Sequence, residues 1–368
     1  MFFSSRHKEI KASSLNSEVW KKLKQNKLAM FSLSIIICFT IVAFLGYSIT
    51  PDQTPYSNQQ YLEIATKKPG FKVNFLRVYD KTYVKKTNAL EHIAFGSQNP
   101  YSSYPISKHW EKDGKIFAEL YTGEKTEQGE ILSIDAKKTK YEIKSQTFLL
   151  GTDRYGRDIL SQLMIGTRVS LSVGLISILI SLVIGISLGA IAAYYGKWVD
   201  SLIMWLINVV WSIPTILLVI AITFALGKGF WQVFVAVGLT MWVDVARVVR
   251  GQILSLREKE FVEAGRALGF KNSRIIIKHI LPNVIGATTV ITASNFATAI
   301  LQEAGLSFLG IGVQPPMPSW GTMIKENYGY IILDAAYMAI IPGIAIMMLV
   351  LAFLLLGSGL RQAMDVKS

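Results

Sequence analysis

Cysteine is nearly absent. Cys38 stands alone in 368 residues, so no intrachain disulfide can form. Histidine is scarce too. His7, His92, His109 and His279 are scattered without ligand spacing, which argues against a metal site. Internal repeats and low-complexity tracts are lacking. The three Gly-Lys pairs, Gly114-Lys115, Gly196-Lys197 and Gly227-Lys228, all lack the earlier glycine of a nucleotide-binding phosphate loop. The chain is therefore not expected to hydrolyse ATP. A membrane-anchored enzyme would have to act through residues 50–150, where no nucleophile, base and orienter cluster is visible, although dispersed residues could meet in space. Acid is in deficit, with 25 Asp and Glu against 38 Lys and Arg, a formal charge of +13.

What the chain has is apolar length. It is 51% hydrophobic, and the apolar residues gather in runs of about 18 or more, the mark of a polytopic membrane protein. The positive charge then has a topological cause, because cytoplasmic flanks collect Lys and Arg. A nucleic-acid partner is not needed to explain it.

Residues 1–27 carry Arg6, Lys8, Lys11, Lys21, Lys22, Lys24 and Lys27 and read as a cytoplasmic segment. Residues 28–49 are apolar and uncharged, an uncleaved first transmembrane helix. Residues 50–150 change character and form a small β-rich insertion outside the membrane. Phe71, Val73 and Phe75 alternate, and 115–121, 130–134 and 141–149 read as strands. Turn chemistry separates them at Thr122-Gly123-Glu124-Lys125 and Lys137-Lys138-Thr139. Tyr101, Tyr104 and Trp110 are aromatic candidates for a contact surface on it.

Residues 151–368 form the transmembrane core. A helix lying in the interface is expected over 151–171, with Asp153 and Asp158 capping or anchoring it. Spans follow at about 169–193, 202–226, 230–246, 283–304 and 336–357. Pro214 and Pro342 should kink two of them. Ser177, Ser181, Gly185 and Gly189 allow close helix packing. Asp244 and Arg247, one turn apart, are expected to pair. The span at 283–304 is unusually small and polar. Thr292, Asn295 and Thr298 suit a bundle interior or a water-filled path. Gln302 and Glu303 near its outer end are either functional or simply solvated at the interface.

Between two apolar runs lies EFVEAGRALGFKNSRIIIKHILPN, Glu260 to Asn283. Helix formers run to Leu268, Gly269 is a stop, and Asn272 or Ser273 can cap a second helix through Ile280. Pro282 marks the next boundary. Ala264, Gly265, Ala267 and Gly269 leave a bare face with Glu263 as its single acid. Such a face suits a plug for a partner's socket, but composition alone favours a solvated loop, basic only because cytoplasmic loops are.

The segment resembles the EAA loop of ABC importer permeases. Glu263, Ala264, Gly269, Leu281 and Pro282 match it in spacing, Gly265 replaces its second alanine, and His279 stands where the broad pattern is apolar. RIIIKHILPN, GTDRYGRDILSQLMIGTRVSL and LSFLGIGVQPPMPSWG are similar to the C-type permease subunit of oligopeptide and dipeptide importers. The resemblance covers roughly residues 20–50 and 150–366. Trp205, Asn208, Ser358 and Gln362 depart from it, and the insertion is longer than expected.

That resemblance implies an all-α polytopic fold of six transmembrane helices, with the β-rich insertion outside and coupling helices at 258–282. It implies half a translocation path for peptides, shared with a homologous permease. Two ATPase subunits would bind ATP and Mg²⁺ and dock on the coupling stretch; an extracytoplasmic binding protein would deliver the substrate. Both termini would be cytoplasmic. Nickel-chelate or glutathione permeases share these motifs and remain alternatives. An ion-coupled carrier would need acids at mid-membrane and internal repeats, neither of which is clear.

Overall fold

A computed structural model describes residues 15–79, 88–123, 129–135, 137, 139–227 and 229–364. Arg6, Lys8, Lys11, Glu124, Lys125, Lys138 and Lys228 lie outside them. A short helix α1 (Leu15–Gln25) turns at Asn26 into α2 (Lys27–Ile49). Asn26 makes the turn. Its side chain accepts from the Ala29 N–H at 3.1 Å, capping α2, and donates to Gln362 at 3.0 Å. Past Lys27, α2 has no charge and exposes Phe31, Ile37, Ile41 and Phe44 along its length, as a lipid-facing helix would.

The insertion holds β1 (Phe71–Tyr79), α3 (Ala89–Phe95), β2 (Tyr101–Lys112), β3 (Lys115–Leu120), β4 (Ile131–Asp135) and β5 (Tyr141–Phe148). The strands make one antiparallel sheet in the order β4-β3-β2-β1-β5. Four of them stand where the sequence pattern puts strands. β2 is the addition: only Pro105 and Ile106 are buried in it, so it has no alternating apolar face to betray it. One sheet face packs Val73, Phe75 and Phe148 on Ile64; the other packs Leu76, Ile106 and Ala118.

The core begins with α4 (Ile159–Tyr195), a single helix of 37 residues. The interface helix expected before a separate span is instead the N-terminal part of this helix. Nothing near Gly166-Thr167 stops it, and Gly166 lets Trp320 approach. Asp158 is its cap, accepting from the Ser161 N–H at 3.0 Å. Next come α5 (Lys197–Trp211) and α6 (Thr215–Leu226), bent 91° to each other across Ser212-Ile213-Pro214. The proline breaks this span outright rather than kinking it. α7 (Phe230–Leu256) outruns its expected end at 246.

Then follow α8 (Glu260–Ala267), α9 (Asn272–Ile275), a π-helical turn at Ile276–Ile280, α10 (Leu281–Phe308), α11 (Trp320–Asn327) and α12 (Tyr337–Met364). α12 runs through Pro342 as one helix. Among the described residues, five helices are long and apolar enough to cross a membrane, or six if the bent α5–α6 pair counts as one span. The fold is thus an all-α membrane bundle with a small β-rich insertion.

The tightest seam joins α4 to α7 through the small residues. A Cβ on Gly185 would fall 2.7 Å from the Trp242 carbonyl oxygen, and one on Gly189 2.6 Å from that of Ala246. Ser177 donates to the Phe234 carbonyl at 3.0 Å. Packing at this distance requires the missing side chains. Asp244 and Arg247 do not pair. Arg247 lies 3.7 Å from the Trp211 ring centre and reaches Asn208 at 3.4 Å, while Asp244 is exposed. The ion pair in this region is Asp200–Arg250, a two-pronged bridge of 2.6 and 2.7 Å between α5 and α7.

Candidate functional site

The stretch after α7 folds as a compact projection. α8 begins with Glu260 and Glu263 in its first turn, where acid suits the helix dipole. It ends in a Schellman turn: the Gly269 N–H bonds to the Arg266 carbonyl at 2.9 Å, and the Phe270 N–H to the Gly265 carbonyl at 3.0 Å. Gly269 supplies the left-handed residue, at φ 73°. The chain then re-enters a helix at Lys271, not through a side-chain cap from Asn272 or Ser273. Asn272 instead accepts from the Tyr194 hydroxyl at 2.8 Å, pinning the projection to the end of α4.

Inside the projection Val262, Ile275 and Ile280 are buried, packed with Val249 and Ile253 of α7. Phe270 stacks on His279, with centroids 5.9 Å apart, and Arg274 covers the other ring, 4.2 Å from the Phe270 centre. His279 thus fills an apolar slot as a flat ring. The π turn carries the helix past it to Leu281 and Pro282, which open α10 at positions where a missing N–H costs nothing.

The outer surface is bare. Glu263, Ala264 and Gly269 are exposed, and a Cβ on Gly269 would meet nothing within 4 Å. Leu268 is 71% exposed and Ile277 61%, beside Phe261 at 41%. These three apolar residues were not singled out by the sequence pattern. Their signal is that each breaks the polar face of a short helix in a loop that is otherwise charged. Gly265, by contrast, faces inward, with room for a Cβ 3.5 Å from Ile275.

The polar face of α10 divides. Thr292, Asn295 and Gln302 fall on one stripe by helical spacing, with exposed Thr298 beside it. Thr292 and Thr298 return their hydroxyls to carbonyls one turn back. The buried Asn295 Nδ2 and Gln302 Oε1 have no protein partner. Glu303 turns inward. It is fully buried, accepts from Ser307 at 2.7 Å and lies 3.5 Å from Ser170 of α4.

Arg157 ties the start of the core to α11. It donates to Asp153 and to Glu326 of α11 at 2.6 Å each and reaches Asn58 at 3.2 Å. Arg168 of α4 was not visible as special in the sequence. Its guanidinium donates to the carbonyls of Ala43 and Phe44 in α2 and of Ile93 and Ala94 in α3, at 2.7–3.2 Å.

Residues 185–366 match the family model described as the binding-protein-dependent transport system inner membrane component. Residues 14–69 match the N-terminal transmembrane domain of oligopeptide transport permease C. The dipeptide transport system permease protein DppC of Alkalihalophilus pseudofirmus is 43% identical over 217 residues, 59% of this chain and 71% of that protein. The glutathione transport system permease protein GsiD of Pectobacterium atrosepticum is 42% identical over 223 residues, 61% of this chain and 74% of that one. A solved MetNI methionine ABC transporter chain aligns with 21% identity and a TM-score of 0.45, over 56% of this chain and 96% of its own. The chain belongs to the binding-protein-dependent inner-membrane components of ABC importers, as a C-type permease subunit.

Proposed function

We propose that this permease imports short peptides, with residues 260–282 as the docking element that receives the work of ATP hydrolysis. The exposed bare face of Glu263, Ala264, Leu268, Gly269 and Ile277, held rigid by the Schellman turn and the Phe270–His279 stack, carries the reading. Apolar anchors around one acid suit a socket in a partner. Two ATPase subunits, each binding ATP and Mg²⁺, occupy that role, and this chain hydrolyses nothing itself. A homologous permease supplies the other half of the path. Thr292, Asn295, Thr298 and Gln302 border it, with Glu303 bracing α4 and α10 behind them.

The residues from 50 to 150 lie outside and both termini inside. The end of α7 and the projection after it, residues 247 to 280, support this orientation, with eight Lys or Arg against three Glu. The sheet offers Trp110 and Tyr104, 41% and 37% exposed, to an extracytoplasmic binding protein. Glutathione is the second reading, favoured by the 42% identity to a glutathione permease. The chain, purified with its neighbours and reconstituted with the cognate binding protein, should import labelled dipeptides in an ATP-dependent way. Import of glutathione alone would select the second reading.

A further inference from the structure

A polar cavity of about 200 Å³ lies between the sheet of the insertion and the connection from α2 to β1. Its floor is the cap of α4. Two acids stand on that side, Asp52 and Asp158, 7% and 4% exposed. Two bases stand on the sheet side, Arg77 of β1 and Lys144 of β5. Neither base forms an ion pair with either acid or with any other described residue. The Arg77 guanidinium lies 4.6 Å from the Tyr101 ring centre, and its buried Nε has no partner. The cavity therefore carries charges of both signs that form no ion pair with one another, with Glu142 across the strand from Arg77.

The acids keep spare capacity. Asp52 Oδ1 accepts from the Thr54 N–H and hydroxyl, and Oδ2 only from the Gln59 N–H at 3.1 Å. A carboxylate offers about four acceptor positions. Asp158 spends Oδ2 on Ser161. Burial pushes the Asp158 carboxyl above its ordinary value, and Asp52 nearby adds to the rise. An ammonium placed between the two acids would relieve both costs. The walls are set in advance, since Asn99 donates to Gln59 at 2.8 Å across the rim.

We propose that this cavity binds a small zwitterion, an α-amino acid or a dipeptide, with its carboxylate toward Arg77 and Lys144 and its ammonium toward Asp52 and Asp158. Its volume is below that of an ordinary small-molecule site, about 300 Å³ or more, so both charges must sit within one or two residues. The inference rests on the peptide reading only for the dipeptide arm. The site joins the external domain to the first turn of α4, so an occupant touches the outer end of a transmembrane helix.

The test is equilibrium dialysis on the assembled importer in lipid discs, without binding protein. The probes are labelled L-alanine and L-alanyl-L-alanine, with the N-acetyl and the amide form of each. Saturable millimolar binding of a zwitterion is expected, weakened about tenfold by blocking either end. The alanine and dipeptide arms identify the source. Lys144→Gln, an exposed change, should weaken binding about threefold, and Arg77→Gln with Lys144→Gln about tenfold or more. No saturable binding would overturn the proposal. So would equal binding of the N-acetyl form, or unchanged binding in the Lys144→Gln protein. Dipeptide uptake with the binding protein is measured in parallel. Uptake without this binding removes the site and leaves the peptide reading standing; binding without uptake does the reverse.

Discussion

Phe270 lies flat against His279, with the two ring planes 12° apart. The contact spans the turn between α8 and the π-helical residues, and so fixes the angle of the exposed face proposed to dock an ATPase. The flat imidazole packs there much as an apolar side chain would.

The first prediction follows from that contact. His279→Leu should keep the packing and retain uptake. Phe270→Ala removes the shared ring from a half-buried site and should cost on the order of 2 kcal/mol locally. Uptake should fall while the assembled complex still forms, as read by co-purification of the ATPases. Unimpaired uptake in Phe270→Ala would show that the stack does not matter.

Gly265→Ala should do the opposite. The position is helical, and the added methyl meets Ile275 at 3.5 Å and Phe270 at 3.7 Å, ordinary contact distances. The gain should be about 0.5–1 kcal/mol from helix propensity. Slower hydrogen exchange across α8, with uptake unchanged, is the expected result; faster exchange would mean the turn cannot accept the methyl.

Arg168 gives a prediction for the seat of α3. Arg168→Met removes the donors shared by α2 and α3, at a local cost on the order of 3 kcal/mol. Exchange should quicken in residues 89–95 and leave α10 unchanged. If α3 stays protected, its seat is the apolar contact with α2 instead.

The orientation is tested with single cysteines in a Cys38→Ser background. An impermeant thiol reagent outside intact cells should label Lys115→Cys in the sheet and not Lys271→Cys. The reverse pattern would invert the topology.

Much of this was legible because it is written locally. The uncharged run of α2 and the alternation at Phe71, Val73 and Phe75 announce themselves. So does the stop at Gly269, where only a residue at ease with φ 73° ends a helix this way. What was hidden depends on neighbours distant in sequence. β2 is a strand because β1 and β3 flank it, not because its own residues alternate. Arg247 prefers the Trp211 ring, 36 positions earlier, to Asp244 one turn away. The N-terminal turns of α4 look like an interface helix until Trp320 packs on Gly166 and donates to the Leu163 carbonyl at 3.0 Å. Glu303 reads as a lining candidate in one dimension and proves to be a buried brace, because Ser170 comes from another helix.

The central claim is that residues 260–282 dock an ATPase and transmit its work. Gly269→Trp tests it most directly, with Gly269→Ala as the control for backbone strain of about 1–2 kcal/mol. A Cβ at 269 meets nothing within 4 Å, so a tryptophan there adds bulk to the exposed end of α8. Binding-protein-dependent uptake of a labelled dipeptide is measured in proteoliposomes of the assembled importer. The Trp variant is expected to lose uptake, as is Glu263→Arg, while the Ala variant keeps most of it. Normal uptake with tryptophan at 269 would contradict the account, leaving the stretch a loop that no partner covers.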